Sequence, residues 1–185
     1  LAAMHPADPL TLEQMGTLKR QGFRGFKLHP DYQDFFVDDP RMYPLYETVA
    51  EAGMFVLFHA GVDRGLPYPV HGTPKRLAAV LKAVPELCMV AAHLGGEDAY
   101  EETVECLLGK DVYLDTAFVL RQMPGTFRER ILGEHPANRL LFASDSPWMD
   151  QGEELRFLLQ LPFLTDSEKE KICFSNAARL LGLED

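Results

Sequence analysis

The chain has 185 residues, 46% of them hydrophobic, enough for one domain with a sizeable core. Its formal net charge of −10 argues against nucleic acid as a partner, because binding phosphates needs a basic face. Three widely spaced cysteines, Cys88, Cys106 and Cys173, include no C-x-x-C pair, which predicts a reducing, cytoplasmic setting without a disulfide framework.

The first apolar run, LAAM (1–4), begins at Leu1 without a leading Met, as the interior of a longer protein would. Residues 11–21 place Leu12, Met15 and Leu18 at helical spacing and stop at Gly22. FRGFKL (23–28) is the second run, followed by a helical pattern over 41–52 (Leu45, Val49, Ala52) that closes at Gly53. FVLF (55–58) leads into AGVDRGLPYPVHGTP (60–74), a long Gly- and Pro-rich connection of the kind that is functional or mobile in compact domains. A helix is expected over 74–84, the run MVAA over 89–92, a helix over 97–108 and the run VYL over 112–114. LLFA (140–143) is the last run, followed by helical segments 153–161 and 166–181. Thr165 and Glu168 form a capping box for the final helix. No run approaches the length of a membrane span, and no signal peptide is visible. Short apolar runs alternating with helical segments predict a parallel α/β architecture in a single domain over 1–185.

The informative feature is the polar residue at the carboxyl end of each run. His5, His29, His59 and His93 come after the first four, Asp115 ends the fifth, and Asp145 succeeds the sixth through Ser144. Taken singly, a histidine after a strand is commonly a hydrogen-bonded structural residue, and an aspartate is commonly a cap or turn-former. Six in succession at carboxyl ends is a different matter, because those ends line the ligand site in parallel α/β folds. Imidazoles and carboxylates converging there suit a divalent metal such as zinc.

GFKLHP (25–30), LFHAG (57–61), AAHLGG (91–96), YLDTAF (113–118), FASDSPW (142–148) and NAARLLGL (176–183) together resemble the amidohydrolase-related family of metal-dependent hydrolases. Its branch includes aminocarboxymuconate semialdehyde decarboxylase. The resemblance implies a TIM-type (β/α)8 barrel, here incomplete, with strands three to eight present. It implies that His59 is a metal ligand, that His93 is a second ligand or a catalytic acid, and that Asp145 contacts the metal and its bound water. Zinc is the expected metal, with manganese as the alternative. Lys27 or His29 matches the family's strand-four residue, which implies contact with substrate or, as the lesser alternative, with metal. The family's His-x-His pair from the first strand has no counterpart in this sequence.

The remaining candidates divide by position. Lys27 alternates with Phe26 and Leu28, so it points into the barrel, where it can bind an anionic group. His5 and His29 precede prolines and suit either a turn or substrate contact. Trp148 is a pocket wall or a core plug. Asp115 is read as structural, His71 and His135 as surface residues, and Asp31, Asp34, Asp38 and Asp39 as a solvated acidic loop.

The leading expectation is a metal-dependent hydrolase of a small carbonyl, ester or amide-like substrate. The alternatives are non-oxidative decarboxylation of a small carboxylic acid at the same site, and a catalytically silent fragment whose open edges drive self-association. The expected partners are a small-molecule substrate and a second copy in a homodimer, with neither nucleic acid nor membrane.

Overall fold

The structure is a computed structural model that describes residues 1–183; Glu184 and Asp185, the end of the expected domain, lie outside the described residues. Six parallel strands form one sheet in sequence order: β1 (Ala2–Ala3), β2 (Gly25–Leu28), β3 (Phe55–Phe58), β4 (Cys88–Ala91), β5 (Tyr113–Asp115) and β6 (Leu140–Leu141). Among the described residues, eight α-helices separate and succeed them: α1 (Leu12–Arg20), α2 (Tyr43–Glu51), α3 (Pro74–Ala83), α4 (Tyr100–Cys106), α5 (Gly125–Glu134), α6 (Gln151–Leu159), α7 (Asp166–Glu170) and α8 (Asn176–Leu181). Strand order matches chain order and β1 does not pair with β6, so the sheet is an incomplete barrel with two open edges. Among the described residues, no helix is long and apolar enough to cross a membrane.

Strand alternation sorts the side chains onto two faces. Phe26, Leu28, Val56, Phe58, Met89, Ala91, Leu114 and Leu140 join the main core, packed against the helices. Their neighbours Phe55, Val90, Tyr113 and Leu141 form a second, smaller cluster on the inner face. Ala177, Leu180 and Leu181 of α8 pack against that cluster, so the C-terminal helix covers the lower half of the inner face. The same inner face leads upward to Lys27, His29, His59 and Asp145.

Thr165 and Glu168 cap α7 reciprocally, as their spacing predicts. The helix expected over 166–181 is instead α7 and α8 joined by a π-helical stretch, Lys171–Ser175. That widened turn lets the Ile172 carbonyl accept a hydrogen bond from Phe142 N at 2.8 Å. Correspondingly, β6 ends at Leu141 rather than at residue 143: Phe142 N turns to Ile172, and Ala143 N donates to Thr116 Oγ1 at 2.9 Å. Helix α5 is not legible from the sequence, where Gly125 and Gly133 dilute a short apolar pattern. His135, expected at the surface, is 2% exposed. Its Nδ1 accepts from Gly109 N at 3.2 Å and its Nε2 donates to the Val112 carbonyl at 2.9 Å.

The long connection 60–74 is anchored at both ends. Gly61 bridges Glu97, and Val62 N donates to the Glu97 carbonyl at 2.8 Å. Gly61 holds φ at +86°, and a Cβ there would run into the Glu97 backbone. Gly61→Ala is therefore expected to destabilise the fold by more than about 2 kcal/mol in urea denaturation. An unchanged midpoint would contradict this anchoring.

Candidate active site and metal centre

Lys27 and His29 at the end of β2, His59 after β3, His93 after β4 and Asp145 after β6 line one cavity of about 470 Å³. Tyr32, Phe118 and Trp148 supply aromatic walls, and Asp63, Arg64 and Glu97 enter from neighbouring loops. Trp148 is 75% exposed, so it stands at the mouth rather than plugging the core. His5 does not line this cavity; it is exposed, and its Nδ1 accepts from Ala7 N at 3.1 Å to start a turn. A larger groove of about 910 Å³, bordered by Tyr68, Val70 and Arg76, contains none of the strand-end histidines.

The protonation of the two central histidines is set by their partners. His93 Nδ1 lies 3.0 Å from the Ala117 carbonyl, which can only accept, so Nδ1 carries the proton. In the neutral ring, His93 Nε2 is then an acceptor, and the group 2.9 Å away, His59 Nδ1, must donate to it. This leaves a lone pair on His59 Nε2, which is buried and has no partner. An unpartnered buried imidazole nitrogen is costly unless something electrophilic meets it.

His59 is close to donors that could share a cation. One ligand atom each from His29, His59 and Asp63 lie within 4.8 Å of one another. The His29 ring stacks on His59 with centroids 4.1 Å apart, and its Nε2 faces Asp63 Oδ2 at 3.4 Å. Two imidazoles and a carboxylate are a donor set suited to zinc or manganese. The residues present therefore fit a divalent metal. In this structure His93 Nε2 is engaged by His59 Nδ1, so His93 fixes the His59 ring and has no free ring nitrogen of its own.

Asp115 acts through the backbone: its Oδ1 accepts from His93 N and Ala117 N, both at 3.0 Å. It thereby places both the histidine and the carbonyl that fixes the histidine's tautomer. Burial lowers the Lys27 pKa, while the carboxylates of Asp115 and Asp145 pull it back up. Burial pushes the Glu97 carboxyl up to about 7, against the opposing effect of Arg64. Left-handed backbone clusters here: His93 (φ 59°), Asp98 (φ 50°), Phe118 (φ 65°) and Asp145 (φ 60°) all border the cavity or hold its lining residues. Such conformations cost about 1–3 kcal/mol each and collect at functional sites.

Asp63, Arg64, Glu97, Tyr32 and Phe118 are not among the residues that the sequence singles out. The available signals are the unusual length of 60–74, which supplies Asp63 and Arg64, and the place of Glu97 directly after AAHLGG. Their meeting depends on the Gly61–Glu97 bridge, which no local pattern announces.

Burial, then the neighbouring His93, His29 and Lys27, lowers the His59 pKa to about 2. The unfolded chain takes up this proton near pH 6.5 while the folded chain does not, so stability falls as pH drops below that value. Metal-free wild type is expected to lose about 2 kcal/mol more than His59→Gln between about pH 7.5 and 5 in urea titrations. Equal losses would contradict a neutral, buried His59.

Three solved structures show what the chain is similar to. An uncharacterised TIM-barrel protein from Bordetella bronchiseptica matches with a TM-score of 0.77 at 25% identity, over 97% of this chain and 65% of that one. A 2,6-dihydroxybenzoate decarboxylase, solved with 2,6-dihydroxybenzoate and also from Rhizobium, matches with a TM-score of 0.74 at 16% identity, over 99% and 70%. A dihydroxybenzoic acid decarboxylase from Polaromonas, with manganese and 2-nitroresorcinol bound, matches with a TM-score of 0.66 at 16% identity, over 92% and 64%. Further similar structures include a 5-carboxyvanillate decarboxylase and a protein assigned as a 2-pyrone-4,6-dicarboxylic acid hydrolase. This chain thus spans about two thirds of the length of these proteins. No curated protein sequence matches it. The sequence model of the Amidohydrolase family matches residues 1–183, and the chain belongs to that family.

Proposed function

We propose that this site decarboxylates a small aromatic carboxylic acid without redox chemistry, releasing CO₂ and leaving a proton on the ring carbon that carried it. The observation that carries the reading is the buried, unpartnered His59 Nε2 in a cavity lined by aromatic rings and a half-buried lysine. A divalent metal held by His59, His29 and Asp63 would supply Lewis acidity to the substrate's oxygens.

The chain's own residues account for the rest. Lys27 at the cavity floor pairs with the substrate carboxylate, and Tyr32, Phe118 and Trp148 flank the ring. Asp145, at the water-facing rim, passes a proton from solvent to the ring carbon bearing the carboxylate. The carbon–carboxylate bond then breaks, its electron pair restores the aromatic ring, and CO₂ departs. Asp145 stands on an exposed loop and takes a proton back from water. His93 keeps the His59 ring turned toward the cavity.

Hydrolysis, the leading expectation from sequence, would use the same donors. Decarboxylation is preferred because aromatic walls and a half-buried cation suit a ring carboxylate, and because decarboxylases predominate among the named structures of similar fold.

Two measurements test the reading. In equilibrium dialysis with Mn²⁺ or Zn²⁺, the protein is expected to bind one ion, and His59→Ala to weaken binding by about tenfold or more. Stoichiometric metal uptake by His59→Ala at wild-type affinity would remove His59 from the centre. In a CO₂-release assay over a panel of hydroxybenzoic acids, esters and lactones, Asp145→Asn is expected to lower turnover by about 10²-fold or more. Hydrolysis of the esters or lactones without CO₂ release from any acid would overturn the decarboxylase reading.

A further inference from the structure

Arg64 enters the cavity from the long connection 60–74, opposite in depth to Lys27. Its side chain is 59% exposed, which puts it at the mouth, whereas Lys27 lies toward the floor. The guanidinium is held in place by a two-point ion pair: Nε donates to Asp98 Oδ2 at 2.7 Å and one terminal nitrogen donates to Asp98 Oδ1 at 2.9 Å. Glu97 Oε1 lies 3.7 Å from the same Nε.

Both partners of this ion pair are fixed to the frame. Val62 N donates to the Glu97 carbonyl at 2.8 Å and Glu97 N donates to the Ala60 carbonyl at 2.9 Å, so residues 60–62 and 97 are stitched together. Gly65 N donates to Asp63 Oδ1 at 2.8 Å, shaping the turn that carries Arg64. Asp98 itself sits in left-handed backbone at φ 50°. A guanidinium has five N–H donors in a planar fork, and Asp98 takes one edge of it. The other edge remains for a planar anion entering the mouth, already oriented and with little side-chain entropy left to lose.

We propose that Arg64 is a specificity residue that receives a second carboxylate of the substrate, so that the cavity selects aromatic dicarboxylic acids over monocarboxylic ones. The proposal rests on the reading of this cavity as the substrate site. One carboxylate goes to Lys27 and the other to Arg64, with the ring between Tyr32, Phe118 and Trp148. A single ring with two carboxylates is small enough for a cavity of about 470 Å³.

Trp148 is the only tryptophan and lines the same cavity, so its fluorescence reports occupancy without any turnover. The experiment titrates the Mn²⁺-loaded protein with isophthalate and with benzoate, in wild type, Arg64→Gln and Arg64→Lys. Wild type is expected to prefer isophthalate by about tenfold or more, the size of one charge-assisted bidentate contact. Arg64→Gln is expected to bring that ratio within about twofold of unity, and Arg64→Lys, which keeps the charge but loses the fork, to lower it by about threefold or more. If Arg64→Gln fails to fold, the Arg64→Lys ratio decides alone. A wild type that binds neither ligand or shows no preference, or variants whose ratio matches wild type because both ligands weaken equally, would overturn the proposal. Because the readout is binding, a failed CO₂-release assay beside an intact Arg64-dependent preference would refute the reaction and not the specificity.

Discussion

The hydrogen bond from His59 Nδ1 to His93 Nε2 is the contact on which the chemistry of the cavity depends. Its direction is set one step further back, because the Ala117 carbonyl obliges His93 Nδ1 to donate. Asp115 in turn fixes both ends of that step, accepting from the backbone nitrogens of His93 and Ala117. The outcome of this relay is one buried lone pair without a partner, on His59 Nε2. Asp115, which does not line the cavity, thus determines which nitrogen of His59 is left without a proton.

The relay works only because the parallel sheet brings the strand ends to one level. Alternation along the strands sends Val56, Phe58, Leu114 and Leu140 to the helices and leaves the inner face to Phe55, Tyr113 and Leu141 below and the polar residues above. Helix α8 covers the lower cluster, so the inner face has a dry half and a chemical half. Burial in this frame is what lowers the pKa of Lys27 and of His59 and raises that of Glu97. The left-handed residues at the cavity rim are held by the same frame, which offsets their strain.

Much of this is legible in the sequence, for physical reasons that also mark where legibility ends. Buried parallel strands must be short apolar runs, so all six can be placed, and the residues at their carboxyl ends fall on the ligand side wherever the strand is flanked by others. His29, His59, His93 and Asp145 are found in that way, Lys27 by its alternation with Phe26 and Leu28, and all of them share one cavity with Trp148. His5 comes after a run too, yet its strand lies at the open edge and the residue turns away into solvent. His135 looks like a surface turn residue beside Pro136, but its two nitrogens are satisfied by backbone groups far away in sequence. Asp63, Arg64 and Glu97 meet through a bridge between loops, and the π-helical turn at Lys171–Ser175 answers the unpaired Phe142 N. Both are tertiary events that periodicity does not encode.

The central claim is that His59 presents an unprotonated Nε2 to the cavity because His93 takes the proton of its Nδ1. A long-range ¹H–¹⁵N spectrum of the metal-free protein at neutral pH, repeated after adding Zn²⁺, addresses that claim directly. The account predicts Nδ1–H tautomers for both His59 and His93, and a zinc-induced shift at His59 Nε2 that leaves the His93 tautomer unchanged. An Nε2–H tautomer at His59, or a His59 Nε2 signal indifferent to zinc, would contradict it.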